Sequence, residues 1–214
     1  MNREYKIEPV KTSKDAIKHP ALSEEGVIPK LCCSTILVGK SGSGKSVLLH
    51  NLMTRKEFFH GHFDKVFLVS PTGEADDVQK ALNVSPNCVF TDMNEAIKAL
   101  EKIEKHQEEE IKKKGSGGAQ KFAIIFDDVV GHVKLMNSPE FIGAFIKARH
   151  FNFSVFLCSQ HFKRIPRICR LQASYLCFFA LSNSECEVLC EEFAPPAMKK
   201  DNFLRMVDDT SKEP

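Results

Sequence analysis

The sequence predicts an α/β fold in which a mostly parallel central sheet is flanked by helices. Three observations carry that prediction. First, the runs LCCSTILV (31–38), KVFLVS (65–70), KFAIIFDD (121–128), SVFLCS (154–159) and SYLCFFAL (174–181) show little polar alternation, as strands buried on both faces do. Second, helix-like stretches separate these runs, the alternation expected of a covered parallel sheet. Third, a glycine-rich loop, GKSGSGKS at 39–46, stands between the first run and a helical segment.

In chain order, residues 1–30 are polar, carry Pro9, Pro20, Gly26 and Pro29, and read as a peripheral arm. The first strand and the glycine loop follow. Leu48, Leu49, Leu52 and Met53 then fall at helical spacing. Pro71 and Gly73 stop the second strand, and Cys88–Phe90 reads as a short third. Residues 95–114 read as a charged surface helix. Ala96, Leu100, Ile103, Gln107 and Ile111 line one face of it. Glu101/Lys105, Glu108/Lys112, Glu109/Lys113 and Glu110/Lys114 are i,i+4 pairs in the favourable order. GSGG at 115–118 is expected to end this helix in a mobile loop. Residues 140–149 read as helical. The chain thus divides into an arm (1–30), a P-loop domain (31–193) and a C-terminal tail (194–214), with no internal repeat.

A chain of 214 residues, 43% apolar and 27% charged, suits one folded α/β domain. Its formal net charge of +2 argues against non-specific coating of nucleic acid and leaves only local patches for such contact. One segment is one-sided. From Phe141 to Ser184 there is no Asp or Glu, while Lys147, Arg149, Lys163, Arg164, Arg167 and Arg170 fall within it. It is expected to present a basic face, either solvated or set against DNA phosphates or a neighbouring subunit's nucleotide. Lys163, Arg164 and Arg167 are the expected DNA contacts. The eight cysteines lie mostly in apolar runs and read as small hydrophobes rather than a disulfide framework. MNREYKIEPV has no apolar leader core, and no window reaches a membrane-spanning length, so a reducing, cytosol-like compartment is expected. His60 and His62 flank Gly61 without a third ligand, and the spacing of Cys169, Cys177, Cys186 and Cys190 is not that of a zinc site.

The loop GKSGSGKS matches G-x-x-x-x-G-K-[ST] in full, between a buried strand and an amphipathic helix. Gly39, Gly42 and Gly44 let the backbone turn so that the N–H groups of the loop, including those of Lys40, Ser41 and Ser43, converge on phosphate oxygens. The helix beginning near Lys45 directs its positive end at the same anion. Lys45 would reach the β- and γ-phosphates, and Ser46 would ligate Mg²⁺. ATP is the expected nucleotide. No Asn-Lys-x-Asp stretch is present, which argues against guanine recognition. Asp127, the first polar residue after AIIF, is placed at a strand end where ligands gather, to hold Mg²⁺ with Ser46. Asp128 follows and could orient or deprotonate the attacking water, or simply meet solvent. Gln160 ends SVFLCS, where its amide can bond both the γ-phosphate and the water; the bland alternative is a surface glutamine.

These residues carry a family resemblance. The set ILVGKSGSGKS (36–46), IIFDD (124–128), KARHFNFSVFLCSQ (147–160) and KRIP (163–166) is similar to the genome-packaging ATPases of large DNA viruses and virophages, a branch of the FtsK–HerA superfamily. The similarity runs from about residue 31 to about residue 193. It implies an additional-strand P-loop fold, of the RecA/FtsK-like type, in which 154–159 is inserted between the strand before the glycine loop and the strand bearing Asp127. It implies that Lys45, Asp128, Gln160 and Arg149 act in catalysis, with Arg149 as a finger acting on a neighbouring subunit. Asp128 stands where cellular pumps carry glutamate. The resemblance further implies a homo-oligomeric ring that acts on double-stranded DNA, with a capsid or portal-like protein as a further partner, in the cytoplasm of an infected host or associated with the virion. Relatives show arginine-x-asparagine after the proline. Here the stretch is ICRLQAS, which leaves Arg170 and Gln172 without a role. Set against this packaging motor are two alternatives: a non-translocating P-loop ATPase or kinase, and a nucleotide-binding assembly factor with little turnover.

Overall fold

In a computed structural model that describes residues 28–72 and 82–212, six strands form one sheet. They are β1 (Ser34–Val38), β2 (Lys65–Val69), β3 (Val89–Phe90), β4 (Phe122–Asp127), β5 (Phe153–Ser159) and β6 (Tyr175–Phe178). Their order across the sheet is β3-β2-β4-β5-β1-β6, and every pair is parallel. The sheet follows the sequence reading closely, and β5 sits between β1 and β4 as the resemblance implied. The expected arm and the turn at Gly73 fall, apart from residues 28–30 and 71–72, outside the described residues.

Period-two alternation sends each strand's side chains to two different apolar layers. Leu37, Leu68, Ile125, Phe156 and Cys158 meet Leu49 and Leu52 of α1 (Lys45–Thr54) on one face. Ile36, Val69, Ile124, Phe126 and Leu157 face the other way, into the larger layer. That layer is built by α2 (Met93–Gly118), α3 (Val133–Met136), α4 (Pro139–Lys147), α5 (Arg167–Gln172), α6 (Asn183–Phe193) and α7 (Lys200–Lys212). With both faces covered, near-continuous apolar runs are what these strands require. All eight cysteines are free thiols. Burial pushes Cys32 and Cys169 up to about 12 and Cys33 to about 11, so these thiols stay protonated and serve as packing groups.

The helices begin on local signals. Asp92 caps α2 by accepting from the N–H groups of Asn94 and Glu95, both at 2.9 Å. Ser138 caps α4 through Phe141 N–H at 3.1 Å, with Pro139 as the first helical residue. The Glu101/Lys105, Glu108/Lys112 and Glu110/Lys114 pairs close on the surface of α2 at 2.6–2.7 Å.

Two expectations are corrected. The GSGG stretch is not a free loop. Gly115, at φ 71°, breaks α2, but residues 116–118 resume a helical turn. Buried Asn152 donates through Nδ2 to Ser116 O at 2.7 Å and pins that turn. The pinning residue lies 36 positions away, so local sequence could not reveal it. The packed body also continues past residue 193. α7 packs against α6 and buries Phe203 and Val207 in the larger layer.

Candidate nucleotide site at the strand ends

The carboxyl ends of β4, β5 and β1 lie side by side. Asp127 is registered opposite Cys158, and Val38 opposite Ser159. The last carbonyls of β5 hold both neighbours: Ser159 O accepts Gly39 N–H at 3.2 Å, and Cys158 O accepts Asp128 N–H at 3.3 Å. Two ladder spacings therefore separate the β1 and β4 backbones, about 10 Å. That gap lies between the glycine loop and Asp127.

The loop is built for an anion. Gly42 and Gly44 adopt φ 72° and 96°, which only glycine adopts freely. Gly44 leads into α1 with no side-chain cap and no acidic residue in the first turn, so the helix's free N–H groups and positive end face the loop. A Cβ on Gly39 would lie 2.5 Å from Phe179 Cβ and 2.8 Å from Ser43 Oγ. Phe179 thus braces the loop from behind, while its own N–H donates to Val38 O at 2.8 Å. Sequence reasoning missed Phe179 because, within SYLCFFAL, it looks like one more strand residue.

Lys45 is buried, and its Nζ donates to Gly39 O and Lys40 O, each at 2.7 Å. Burial pushes its pKa down, while Cys158, Asp127 and Asp128 pull it back up, so both aspartates act on this ammonium. Ser43 Oγ is buried with no hydrogen-bond partner. An orphaned hydroxyl, an ammonium, two left-handed glycines and an uncapped helix start converge here, and the set fits a phosphate chain. Half-buried Ser46, in the first turn of α1, and half-buried Asp127 offer the hard oxygen ligands that suit Mg²⁺.

Asp128 leaves β4 in the left-handed region, at φ 52° and ψ 30°, with an exposed side chain. Aspartate tolerates this conformation better than most residues. Gln160, on the neighbouring strand end, donates through Nε2 to Asp128 Oδ1 at 3.4 Å. The two residues singled out separately in the sequence therefore touch. Just beyond, Ser159 Oγ donates to His161 O and accepts His161 N–H, both at 3.0 Å, which sets the exit of β5.

Arg149 lies elsewhere. It precedes β5, so the length of that strand, roughly 20 Å, separates it from Gln160. It is exposed and borders a cavity of about 350 Å³ with Cys33, Ile146, His150, Gln172 and Ser174 at the amino ends of the strands. From there it cannot reach the glycine loop of its own chain.

The basic stretch is less one-sided in three dimensions than in sequence, which corrects that expectation. Lys147 pairs with Glu104 of α2. Arg167 meets Glu192 at 3.4 Å, and Arg170 meets the same carboxylate at 2.6 Å. The acids lie outside the Phe141–Ser184 window and are brought in by folding. Lys163 and Arg164 remain exposed on the turn after β5.

Comparison with known proteins adds a consistent set of relatives. The family model described as Poxvirus A32 protein matches residues 30–213. The DNA packaging protein OPG160 of vaccinia virus (strain Copenhagen) is 28% identical over 188 residues, covering 80% of this chain and 63% of that protein. Its monkeypox virus counterpart is 29% identical over 183 residues, covering 80% and 56%. The chain thus spans less than two thirds of these relatives' length. Among solved structures, the DNA-packaging ATPase B204 of Sulfolobus turreted icosahedral virus has a TM-score of 0.56 at 17% identity, covering 77% of this chain and 83% of that one. The likeness in fold is to P-loop proteins with the same central sheet.

Proposed function

The chain belongs to the Poxvirus A32 protein family of FtsK–HerA-type viral genome-packaging ATPases, and on that premise we propose that it is an ATP-driven motor that moves double-stranded DNA into a capsid. The observation that carries this reading is the arrangement of three adjacent strand ends: a complete glycine loop after β1, Asp127 and Asp128 after β4, and Gln160 after the inserted β5.

Each residue has a task set by its place. The backbone from Gly39 to Ser46 cradles the phosphates, and Lys45 exchanges its two loop carbonyls for β- and γ-phosphate oxygens. Ser46 and Asp127 would hold Mg²⁺, which would supply positive charge to the phosphates when bound. Asp128 orients the attacking water and accepts its proton. Gln160 donates one amide hydrogen to Asp128 and keeps a second for the γ-phosphoryl group, so it links base and substrate. Arg149, remote from its own loop, serves the site of a neighbouring subunit in a ring, where a guanidinium fork stabilises the spreading charge. A capsid or portal-like protein would complete the machine.

ATP turnover with and without duplex DNA tests the reading. Turnover that rises with duplex is the expected result. Turnover indifferent to DNA would make the chain a non-translocating ATPase, and nucleotide binding without turnover would make it an assembly factor. The ring is tested by complementation. Arg149→Ala should bind ATP but turn over little, and mixing it with Lys45→Ala subunits should restore part of the activity, because mixed interfaces pair an intact loop with an intact arginine. Co-assembly without recovered turnover would remove the trans role.

A further inference from the structure

Arg170 has no role in the site above, yet it makes the densest set of polar contacts in the segment after β5. It is buried. Its Nε and one terminal nitrogen form a fork with Glu192 of α6, at 2.8 and 2.6 Å. Its other terminal nitrogen donates to three backbone carbonyls of a single turn: Ile165 O at 2.5 Å, Lys163 O at 3.2 Å and Phe162 O at 3.4 Å. The guanidinium also stacks over the Phe162 ring, 5.1 Å from its centroid. A second acid closes the turn from the other side, as Glu185 Oε2 accepts Lys163 N–H at 2.9 Å. Phe162 and Ile165 are fully buried, while Lys163 and Arg164 between them point to solvent.

This turn is two residues from Gln160. Its ends are nailed into the core and its carbonyls into one cation, so the segment moves as a unit or not at all. A planar guanidinium with five donors can hold a carboxylate and several carbonyls together; a lysine ammonium cannot. Burying such a charge is costly unless it is fully paired, and here it is paired on every side. The result is a stiff connection between the γ-phosphate end of β5 and an exposed basic pair.

Building on the DNA-motor reading, we propose that Arg170 is a positioning residue that locks the Phe162–Ile165 turn into one lever, with Gln160 at one end and Lys163 and Arg164 gripping the phosphodiester backbone of nucleic acid at the other. Phosphate contact at the basic pair then bears on Gln160, and through it on Asp128. Arg167 is held by Glu192 and is not part of the grip.

The test uses the full chain, a short fluorescent duplex and four variants. Lys163→Ala with Arg164→Ala should weaken duplex binding, and each lost contact should reduce the log–log salt slope by about 0.9. Arg170→Lys, with both grip residues intact, should hold duplex as the wild type does but lose DNA-stimulated turnover by up to about 10²-fold, the scale of a roughly 1 Å misplacement of a catalytic group. Glu192→Gln, which keeps an acceptor for Arg170, should retain most of the stimulation, and full loss there would count against the lever. Should Arg170→Lys fail to fold, Glu192→Ala, which removes the fork and leaves Arg170 only its three carbonyls, gives the readout: reduced stimulation at unchanged duplex affinity is expected, and wild-type stimulation would overturn the proposal. Stimulation at the wild-type level in Arg170→Lys would reduce Arg170 to a core plug and overturn the proposal. So would unaltered affinity and salt slope in the double alanine variant. A wild-type protein that hydrolyses ATP but neither binds nor responds to duplex would instead bring down the DNA-motor reading, and the lever with it.

Discussion

Two turns leave adjacent strands of the sheet, and they are electrostatic opposites. The glycine loop after β1 turns N–H groups inward, carries left-handed glycines and ends on an uncapped helix. The Phe162–Ile165 turn after β5 directs carbonyls inward, onto a resident arginine. In the first, the counter-charge is left for a ligand, and Lys45 rests on the loop's own carbonyls. In the second, the chain supplies the counter-charge itself. A loop that reserves its donors needs bracing from behind, which Phe179 provides. A loop satisfied from within is closed to ligands but can transmit force. Function and stability should therefore separate between the two turns.

Substitutions can break that contrast. The largest effect is expected at Lys45: Lys45→Ala should cost turnover on the order of 10²–10³-fold, as loss of a main transition-state donor does, while moving the thermal midpoint little. Arg170→Met should do the reverse in stability, since it leaves three carbonyls without their cation and the buried Glu192 carboxylate with only the exposed Arg167, at about 3–5 kcal/mol, or a fall of roughly 6–20 °C in Tm for a chain of this size. Equal Tm losses in the two variants would erase the distinction. Gly39→Ala should fall between them, because the new methyl meets Phe179 and Ser43, a crowding worth about 1–3 kcal/mol. Its signature is nucleotide affinity that falls more than Tm does, read by titration and melting of the same sample.

The smallest effect concerns pH. The hydrogen bond from Arg170, aided by the charges of Arg170 and Arg167, holds the Glu192 carboxyl below its ordinary value of 4.5. A carboxylate depressed in the folded state contributes stability above the unfolded value and loses it as pH falls through the folded one. Wild-type stability should therefore decline below pH 4.5 partly through Glu192, and Glu192→Gln should flatten that decline. Melting curves that stay parallel into acid would show that Arg170 does not depend on this carboxylate.

Much of this architecture was legible in the chain. The strand runs stood out because both faces of the sheet are covered, so alternation between two apolar layers leaves no polar residues to interrupt them. The glycine loop and the Asp127–Asp128 pair stood out because their chemistry demands particular residues in tight spacing. The Gln160–Asp128 contact was not legible, since it depends on β5 lying beside β4. What escaped was long-range pairing. Arg170 looked like one charge in a basic run, because its partner Glu192 arrives from α6. The GSGG stretch looked mobile, because its anchor, Asn152, lies beyond β4, α3 and α4. Phe179 was hidden by its own ordinary neighbourhood.

The order of the sheet also bears on how the protein is made. Of the described strands, β1 is the first to emerge during synthesis, yet its two neighbours, β5 and β6, are the last. Until residues 153–178 have left the ribosome, β2, β3 and β4 can pair with one another, but β1 has no edge to join. At typical elongation rates that wait is on the order of ten seconds. Through it, the glycine loop is tethered to an unpaired apolar strand, and Gly39 lacks both the Ser159 carbonyl that fixes it and the Phe179 ring that backs it. Nucleotide binding must then be a late event in the life of the nascent chain. A growing polypeptide released early would carry the whole phosphate-loop sequence and none of its grip.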